Sequence, residues 1–349
     1  MLTGSAALLH EVGNWPVLET VPAPKQPSEL LPGEVLVKLS YTGVCHSDLH
    51  FILGEYPPTS LPCVAGHEGV GHVVSFGEHT IEAQFEVGDR VGVMLIAQTC
   101  KKCELCLRGD EHYCSEVKYL GLHQWGTFSE YVVTRSEYLV RIPEAVSSPA
   151  AAPILCAGFT VYSALKNSDS NAGEWIAISG AGGGLGHLAI QYANAMGLRV
   201  IAIDSGEDKK SLCLSLGAEK WVDFKASNDV VADVRAAADG LGPHVALVAA
   251  GINLPYIQAA QYLRQTGRLL CIGLPSGNAE GFSLVSVVVK GIKLIGSALG
   301  SRQEGVEALD FVARGKVRPH FEVYPHRDIN TVLGKMNKGE IVGRAVLKY

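Results

Sequence analysis

The apolar positions of this chain change rhythm twice. Over residues 1 to about 156, short β-branched runs at 35–39, 70–74, 91–95 and 131–134 are separated by glycine- and proline-rich turns, a pattern that predicts the short strands and irregular loops of a partly opened β-barrel. From about 157 to 293, strand-length apolar runs alternate with stretches of helical period. Strands are predicted near 175–179, 199–203, 221–223, 245–249, 268–272 and 292–296. That alternation implies right-handed βαβ units, and six such strands suit a doubly wound parallel sheet. In the first helix of this region Leu185, Leu188, Ala189, Tyr192, Ala193 and Met196 recur every three or four residues, leaving Gln191 and Asn194 to face outward. Mixed texture returns over 294–349, which is expected to rejoin the first domain. No internal repeat is visible.

Composition narrows the class of partner. The 349 residues are 47% hydrophobic and 18% charged, enough apolar material for two ordinary cores. A formal charge of -6, from 29 Lys+Arg against 35 Asp+Glu, comes without runs of like charge. That argues against a nucleic-acid or anionic-membrane surface and leaves a small molecule as the expected partner. Residues 145–165 and 241–263 lack formal charge for about the length of a membrane span, but each contains two prolines, glycine and polar groups, so neither reads as transmembrane. The first lysine is Lys25 and the first arginine Arg90. The beginning of the chain therefore reads as neither secretory nor transit sequence, and a cytoplasmic location is expected. In that setting nine cysteines are expected to be ligands or core thiols rather than a disulfide framework.

The spacing of the cysteines carries chemistry. Cys100, Cys103, Cys106 and Cys114 form C-x2-C-x2-C-x7-C, and four thiolates this close suit a closed, tetrahedral, structural Zn2+ site. An iron–sulfur cluster is the competing reading, but the ferredoxin run has a three-residue last gap followed by proline, where this loop has seven residues and then Ser115. His112 then reads as a bystander. A second, dispersed group comprises Cys45, His67 and Cys156: two thiolates and an imidazole, the number of protein ligands a catalytic zinc uses when its fourth position stays open. Singly, each is as compatible with a core thiol or a hydrogen-bonded histidine.

The segment Ser179-Gly180-Ala181-Gly182-Gly183-Gly184-Leu185-Gly186 ends the first strand of the second domain and opens its first helix. Glycines there let the backbone approach a pyrophosphate at the helix N-terminus, and Asp204, at the end of the next strand, is placed to accept from an adenosine ribose. The usable spacing is Gly180, Gly183, Gly186 rather than strict G-x-G-x-x-G, so a glycine-rich turn with a solvated aspartate is the alternative.

Taken together, the segments 45–50, 66–71, 100–114, 156–162, 179–186 and 341–344 resemble the zinc-containing medium-chain alcohol dehydrogenases, closest to the yeast type, over essentially the whole chain. The resemblance implies a GroES-like β-barrel catalytic domain over 1–156 with a structural zinc loop at 100–114, a Rossmann NAD-binding domain over 157–293, and a return to the catalytic domain over 294–349. It implies two Zn2+ per chain: a catalytic ion on Cys45, His67 and Cys156 and a structural ion on Cys100, Cys103, Cys106 and Cys114, with Cys63, Cys213 and Cys271 left as ordinary thiols.

By the same resemblance Asp48 orients the ligand histidine, and Glu68 is the acid that approaches the metal when water exchanges. His46 and Arg344 act on the coenzyme pyrophosphate and Thr160 lies beside the nicotinamide. Gly184 and Leu185 complete the dinucleotide turn. Ser47 and His50 form a proton relay. The yeast-type substrate slot is narrowed by two tryptophans, at positions matched here by the smaller Tyr56 and Leu95, with Leu274 as another apolar wall. Longer primary alcohols are therefore expected beside ethanol.

The implied activity is hydride transfer between small primary, and some secondary, alcohols and NAD. Its rivals are a polyol dehydrogenase, disfavoured by Cys156; an NADP-dependent aldehyde reductase, disfavoured by Asp204; and a catalytically silent nucleotide-binding protein, which has no need of Cys45, His67 and Cys156. A homotetramer is the family expectation. The run 285–289 reads equally as a subunit contact or as a buried strand or helix.

Overall fold

In the computed structural model, which describes residues 1–81 and 84–349, the first unit is assembled from Met1–Cys156 and two returning pieces, Ser301–Ala313 and Phe321–Tyr349. Its strands are β1 (Thr3–Leu9), β2 (Val17–Pro22), β3 (Glu34–Val44), β4 (Cys63–Val64), β5 (Gly69–Phe76), β6 (Arg90–Val93), β7 (Ile96–Gln98), β8 (Lys118–Tyr119), β9 (Tyr131–Arg135), β10 (Leu139–Arg141), β17 (Phe321–Pro325) and β18 (Arg344–Lys348). The long β3 organises them. One edge pairs with β5; the other is shared between β9, against Glu34 to Lys38, and β18, against Tyr41 to Val44.

Register shifts at Leu36/Val37 and Leu39/Tyr41 bend the strand as bulges do, and the sheet curls into the partly open barrel. Val35, Val37, Leu39, Val73, Val91, Val93 and Val132 fill its interior. A second core joins Leu8, Val44, Ile52 and Phe128 to Ile329, Leu333 and Leu347 of the last returning piece. The run expected at 91–95 stops as a strand at Val93, because the Leu95 carbonyl turns to accept the Leu120 N–H.

The second unit comprises Ala157–Gly300 and Arg314–His320. Its strands β11 (Trp175–Ser179), β12 (Arg199–Asp204), β13 (Lys220–Asp223), β14 (Val245–Val248), β15 (Arg268–Cys271) and β16 (Lys293–Gly296) run parallel in the order β13-β12-β11-β14-β15-β16. Strands covered on both faces must be apolar on both, and β11 and β14 are buried throughout. The order reverses between β11 and β14, so the crevice for a ligand opens at their carboxyl ends.

Two features depart from the sequence expectation, and a third concerns a run that the sequence left open. Residues 294–300 and 314–320 group with this second unit, not with the returning segment, because β16 needs Leu294 to Gly296 for its ladder to β15. Gln191 is buried and takes the Arg318 backbone as its partner. The 285–289 run lies in the helix Leu284–Lys290, with Val285, Val288 and Val289 exposed. Among the described residues no single helix is long and apolar enough to cross a membrane.

Candidate active site and metal centres

Cys45 stands at the N-cap of the helix His46–Leu53, where first-turn N–H groups lack helical partners. Asp48 answers part of that need by accepting the Cys45 N–H at 3.0 Å. Its other oxygen accepts the Gly66 N–H at 3.1 Å and His67 Nδ1–H at 2.7 Å. One fully buried carboxylate thus ties two distant segments together and fixes the imidazole tautomer. His67 Nε2 is left buried with no hydrogen-bond partner among the described residues.

A ring nitrogen of His67, the thiols of Cys45 and Cys156 and a Glu68 carboxylate oxygen all lie within 4.8 Å of one another. The Cys156 thiol, as a hydrogen-bond partner, holds Cys45 well below the usual thiol range against the opposing effect of burial, with His67 and Arg344 adding to the lowering. Cys156 itself is pushed well up, by Cys45 and by burial. Glu68 is fully buried and both its oxygens accept from the Arg344 guanidinium. Burial pushes its carboxyl up to about 7 while Arg344 pulls the other way.

The sulfurs of Cys100, Cys103, Cys106 and Cys114 also lie within 4.8 Å of one another. Cys103 caps the short helix Glu104–Arg108, which ends at left-handed Gly109. Backbone donors point at the sulfurs: Cys103 N–H to Cys100 at 3.3 Å and Glu116 N–H to Cys114 at 3.4 Å. The backbone N–H groups of Lys102 and Cys103 lower the Cys100 thiol to about 6, toward the thiolate a metal requires.

In the second unit Gly180 has φ +74 and lies so close to Ala250 that a side chain would meet its backbone N at 3.1 Å. The glycine turn then leads into the helix Gly186–Ala195. Asp204, buried at the end of β12, accepts the Gly182 N–H at 3.0 Å and Lys209 Nζ at 3.2 Å, so the acid, the glycine turn and a cation form one site.

Two family patterns match the chain, "Alcohol dehydrogenase GroES-like domain" over residues 31–144 and "Zinc-binding dehydrogenase" over residues 184–314. Alcohol dehydrogenase 1 of Emericella nidulans is 43% identical over 345 residues, 98% of this chain and 97% of the relative. The chain belongs to the zinc-containing alcohol dehydrogenases. It is therefore an oxidoreductase that interconverts alcohols and carbonyl compounds with Zn2+ and NAD. Among solved structures, the alcohol dehydrogenase of the hyperthermophilic archaeon Aeropyrum pernix is 32% identical with a TM-score of 0.88, covering 99% of this chain and 100% of that one. The acetophenone reductase of Geotrichum candidum in complex with NAD is 29% identical with a TM-score of 0.85, covering 99% and 97%.

The residues fit the family's metal. A buried imidazole nitrogen without a donor or acceptor costs stability unless something binds it, and two sulfurs beside it make an N/S donor set suited to Zn2+. Four sulfurs with inward-pointing N–H groups suit a second. Of the other residues singled out from the sequence, His46 lies with its ring 6.0 Å from that of His50. Ser47 Oγ is 3.7 Å from Cys45 Sγ. His50 Nδ1 is 3.0 Å from Glu55 and its ring 6.1 Å from that of Tyr56. Tyr56 is exposed and Leu95 half-buried between β6 and β7.

Thr160 is buried in the helix Ala157–Lys166 and Leu274 is exposed, both in the second unit. Cys63, Cys213 and Cys271 have thiols raised by burial to about 11, 12 and 11, as inert core groups do. His112 is buried against Tyr113. The pairing of Arg344 with Glu68 and that of Lys209 with Asp204 were missed from the sequence. The first joins positions 276 apart. The second had a signal, a lysine in the opening turn of the helix that follows the acid.

Proposed function

We propose that this enzyme oxidises small primary alcohols, and some secondary ones, with NAD and catalyses the reverse reduction. Cys45, His67 and Cys156 hold a catalytic Zn2+ and Cys100, Cys103, Cys106 and Cys114 a structural one. The observation that carries the reading is His67, whose Nδ1 is pinned by Asp48 so that an unpartnered Nε2 faces two thiols in a buried site. When bound, Zn2+ supplies a Lewis acid that makes an alcohol hydroxyl more acidic, and NAD supplies the hydride acceptor.

The chain's own residues do the remainder. Asp48 accepts the Nδ1 proton of His67 and so fixes the tautomer and the turn of the ring. Ser47 Oγ takes the alcohol's proton and passes it on toward His50, whose Nδ1 is steadied by the half-exposed Glu55. Glu68, held by Arg344, is the acid that would approach a bound metal when water is exchanged. Gly180, Gly183, Gly184, Leu185 and Gly186 present backbone to the coenzyme pyrophosphate. Thr160 packs beside the nicotinamide and Asp204 accepts from the adenosine ribose. Tyr56 and Leu95, smaller than tryptophan, admit longer alcohols.

A cytoplasmic location is supported by two ligand clusters that use six cysteines as reduced thiolates. Assembly with other copies, for which a homotetramer is the family expectation, is supported by the exposed apolar residues beside edge strand β16.

Metal analysis coupled to nicotinamide absorbance tests the reading. Two zinc ions per active chain are expected. Cys45→Ala should lose one together with nearly all turnover, and Cys103→Ala should lose the other with a lowered unfolding midpoint. One zinc or none in fully active protein contradicts the assignment.

A further inference from the structure

Beside Asp204 stands a second carboxylate that the reaction does not use. Asp223 ends β13 in direct register with Asp204 at the end of β12. Each of its oxygens serves a different segment. One accepts the Gly206 N–H at 3.3 Å; the other accepts the N–H groups of Lys225 at 2.9 Å and Ala226 at 3.2 Å. The Ser205 hydroxyl donates to it as well. Burial opposes the charge of Asp223, but these donors prevail and hold its carboxyl below the usual range.

The donors therefore form a cradle built for an anion, and the chain itself supplies the anion. Gly206 adopts φ +98 and ψ 149 at the N-cap of the helix Glu207–Ser215, a conformation open to glycine because it has no Cβ. Successive N–H groups in such a turn make anion-binding concavities. Ser205 and Gly206 follow directly on Asp204, which is joined to the glycine turn through Gly182. Where Asp204 is the acid that meets the adenosine ribose, the Ser205 hydroxyl and the Gly206 N–H join Lys209, which is already on Asp204, as donors on that side of the site.

We propose that Asp223 is a specificity-determining residue for the coenzyme: its carboxylate occupies the anion cradle beside the ribose and so withholds Ser205 and Gly206 from a 2′-phosphate. Discrimination against NADP then has two parts. Asp204 repels the phosphate, and Asp223 both adds charge and takes the hydrogen bonds the phosphate would need, which is selection against a competitor by removing its partners. The inference rests on the reading of Asp204 as the ribose acid.

Binding of 5′-AMP and of adenosine 2′,5′-bisphosphate to the whole enzyme, probes that differ only in the 2′-phosphate, separates the two ideas. Asp223→Ser is expected to raise the affinity for the bisphosphate relative to 5′-AMP by about tenfold and to narrow the NAD over NADP preference in kcat/KM in step. Asp223→Asn, which keeps the side chain's shape and one acceptor, should shift both ratios the same way by less, and it decides the matter if Asp223→Ser no longer binds 5′-AMP. If Asp204→Asn shifts the ratios while neither Asp223 variant does, the cradle is only a turn and the inference is overturned. If Asp204→Asn moves neither ratio, the ribose reading falls and this inference with it.

Discussion

His326 shows how one buried residue shapes behaviour over a pH range far from any catalytic event. It follows β17 in the first unit and is nearly inaccessible to water. Its ring is tilted against that of Tyr349 with the centroids 4.5 Å apart, Nδ1 lies 3.4 Å from Ser5 Oγ, and Nε2 has no partner among the described residues. Burial, the largest influence, drives its pKa down to about 4, with the Phe128 carbonyl and the charge of Glu130 pulling the other way.

Above the unfolded histidine pKa of about 6.5 neither state binds the proton, and below about 4 both do. Between those values only the unfolded chain is protonated, so this residue withdraws stability as pH falls through that window. The shift corresponds to about 3 kcal/mol. Replacing His326 with Phe, which keeps an aromatic ring against Tyr349, is expected to flatten the fall in unfolding free energy between about pH 6.5 and 4 relative to the unmodified protein. Urea titrations of both at several pH values measure the difference, and parallel curves would exclude His326 as its source.

At this scale the ligand types were legible because chemistry requires particular side chains. The tautomer of His67 and the partner of Glu68 were not. Both depend on residues that folding brings from 19 and 276 positions away.

Among elements, the helix Gly186–Ala195 marks the limit of periodicity as a guide. Its apolar stripe gave the right helix, and the same stripe predicted that Gln191 faces outward. Gln191 is instead buried, its Nε2 donating to the Arg318 carbonyl at 3.1 Å and its Oε1 accepting the Arg318 N–H at 2.7 Å. One turn earlier, His187 Nε2 accepts the His320 N–H at 3.1 Å. Two side chains thus act as a substitute strand for the segment Arg314–His320, whose sequence gives no strand or helix signal of its own. Because buried backbone groups need partners, Gln191→Leu should leave two of them unsatisfied and cost about 1–3 kcal/mol. Hydrogen exchange should rise at Arg318 while the sheet strands stay protected. Gln191→Glu, which accepts but cannot donate, should fall between the two. Equal protection of Arg318 in all three proteins would show that the segment is held by something else.

For the whole molecule, the alternation of strands and helices was enough to fix a parallel sheet, because each βαβ unit has one favourable handedness and the strand order follows from few choices. What periodicity left open was whether the run 285–289 is buried or presented at the surface. The helix Leu284–Lys290 exposes Leu284, Val285, Val288 and Val289, with accessibilities of 68%, 71%, 78% and 78%. Val287 alone of the run packs against the sheet's core. Nearby, β16 ends the sheet with ladder partners on one side only among the described residues, and its Leu294 is 47% exposed.

An apolar patch beside an open strand edge is a liability in an isolated protein unless something covers it, and a second copy related by a two-fold axis would cover both features at once. Assembly through this face makes stability depend on protein concentration, since dilution shifts mass action toward the separate chain. Light scattering is therefore expected to give an oligomer, and the thermal midpoint should rise with concentration. Val288→Glu together with Val289→Lys, which place charges on the patch without touching the core, should lower the mass and remove the concentration dependence while the far-ultraviolet spectrum is preserved. A monomer in the unmodified protein, or an oligomer indifferent to both substitutions, would remove this face from the assembly.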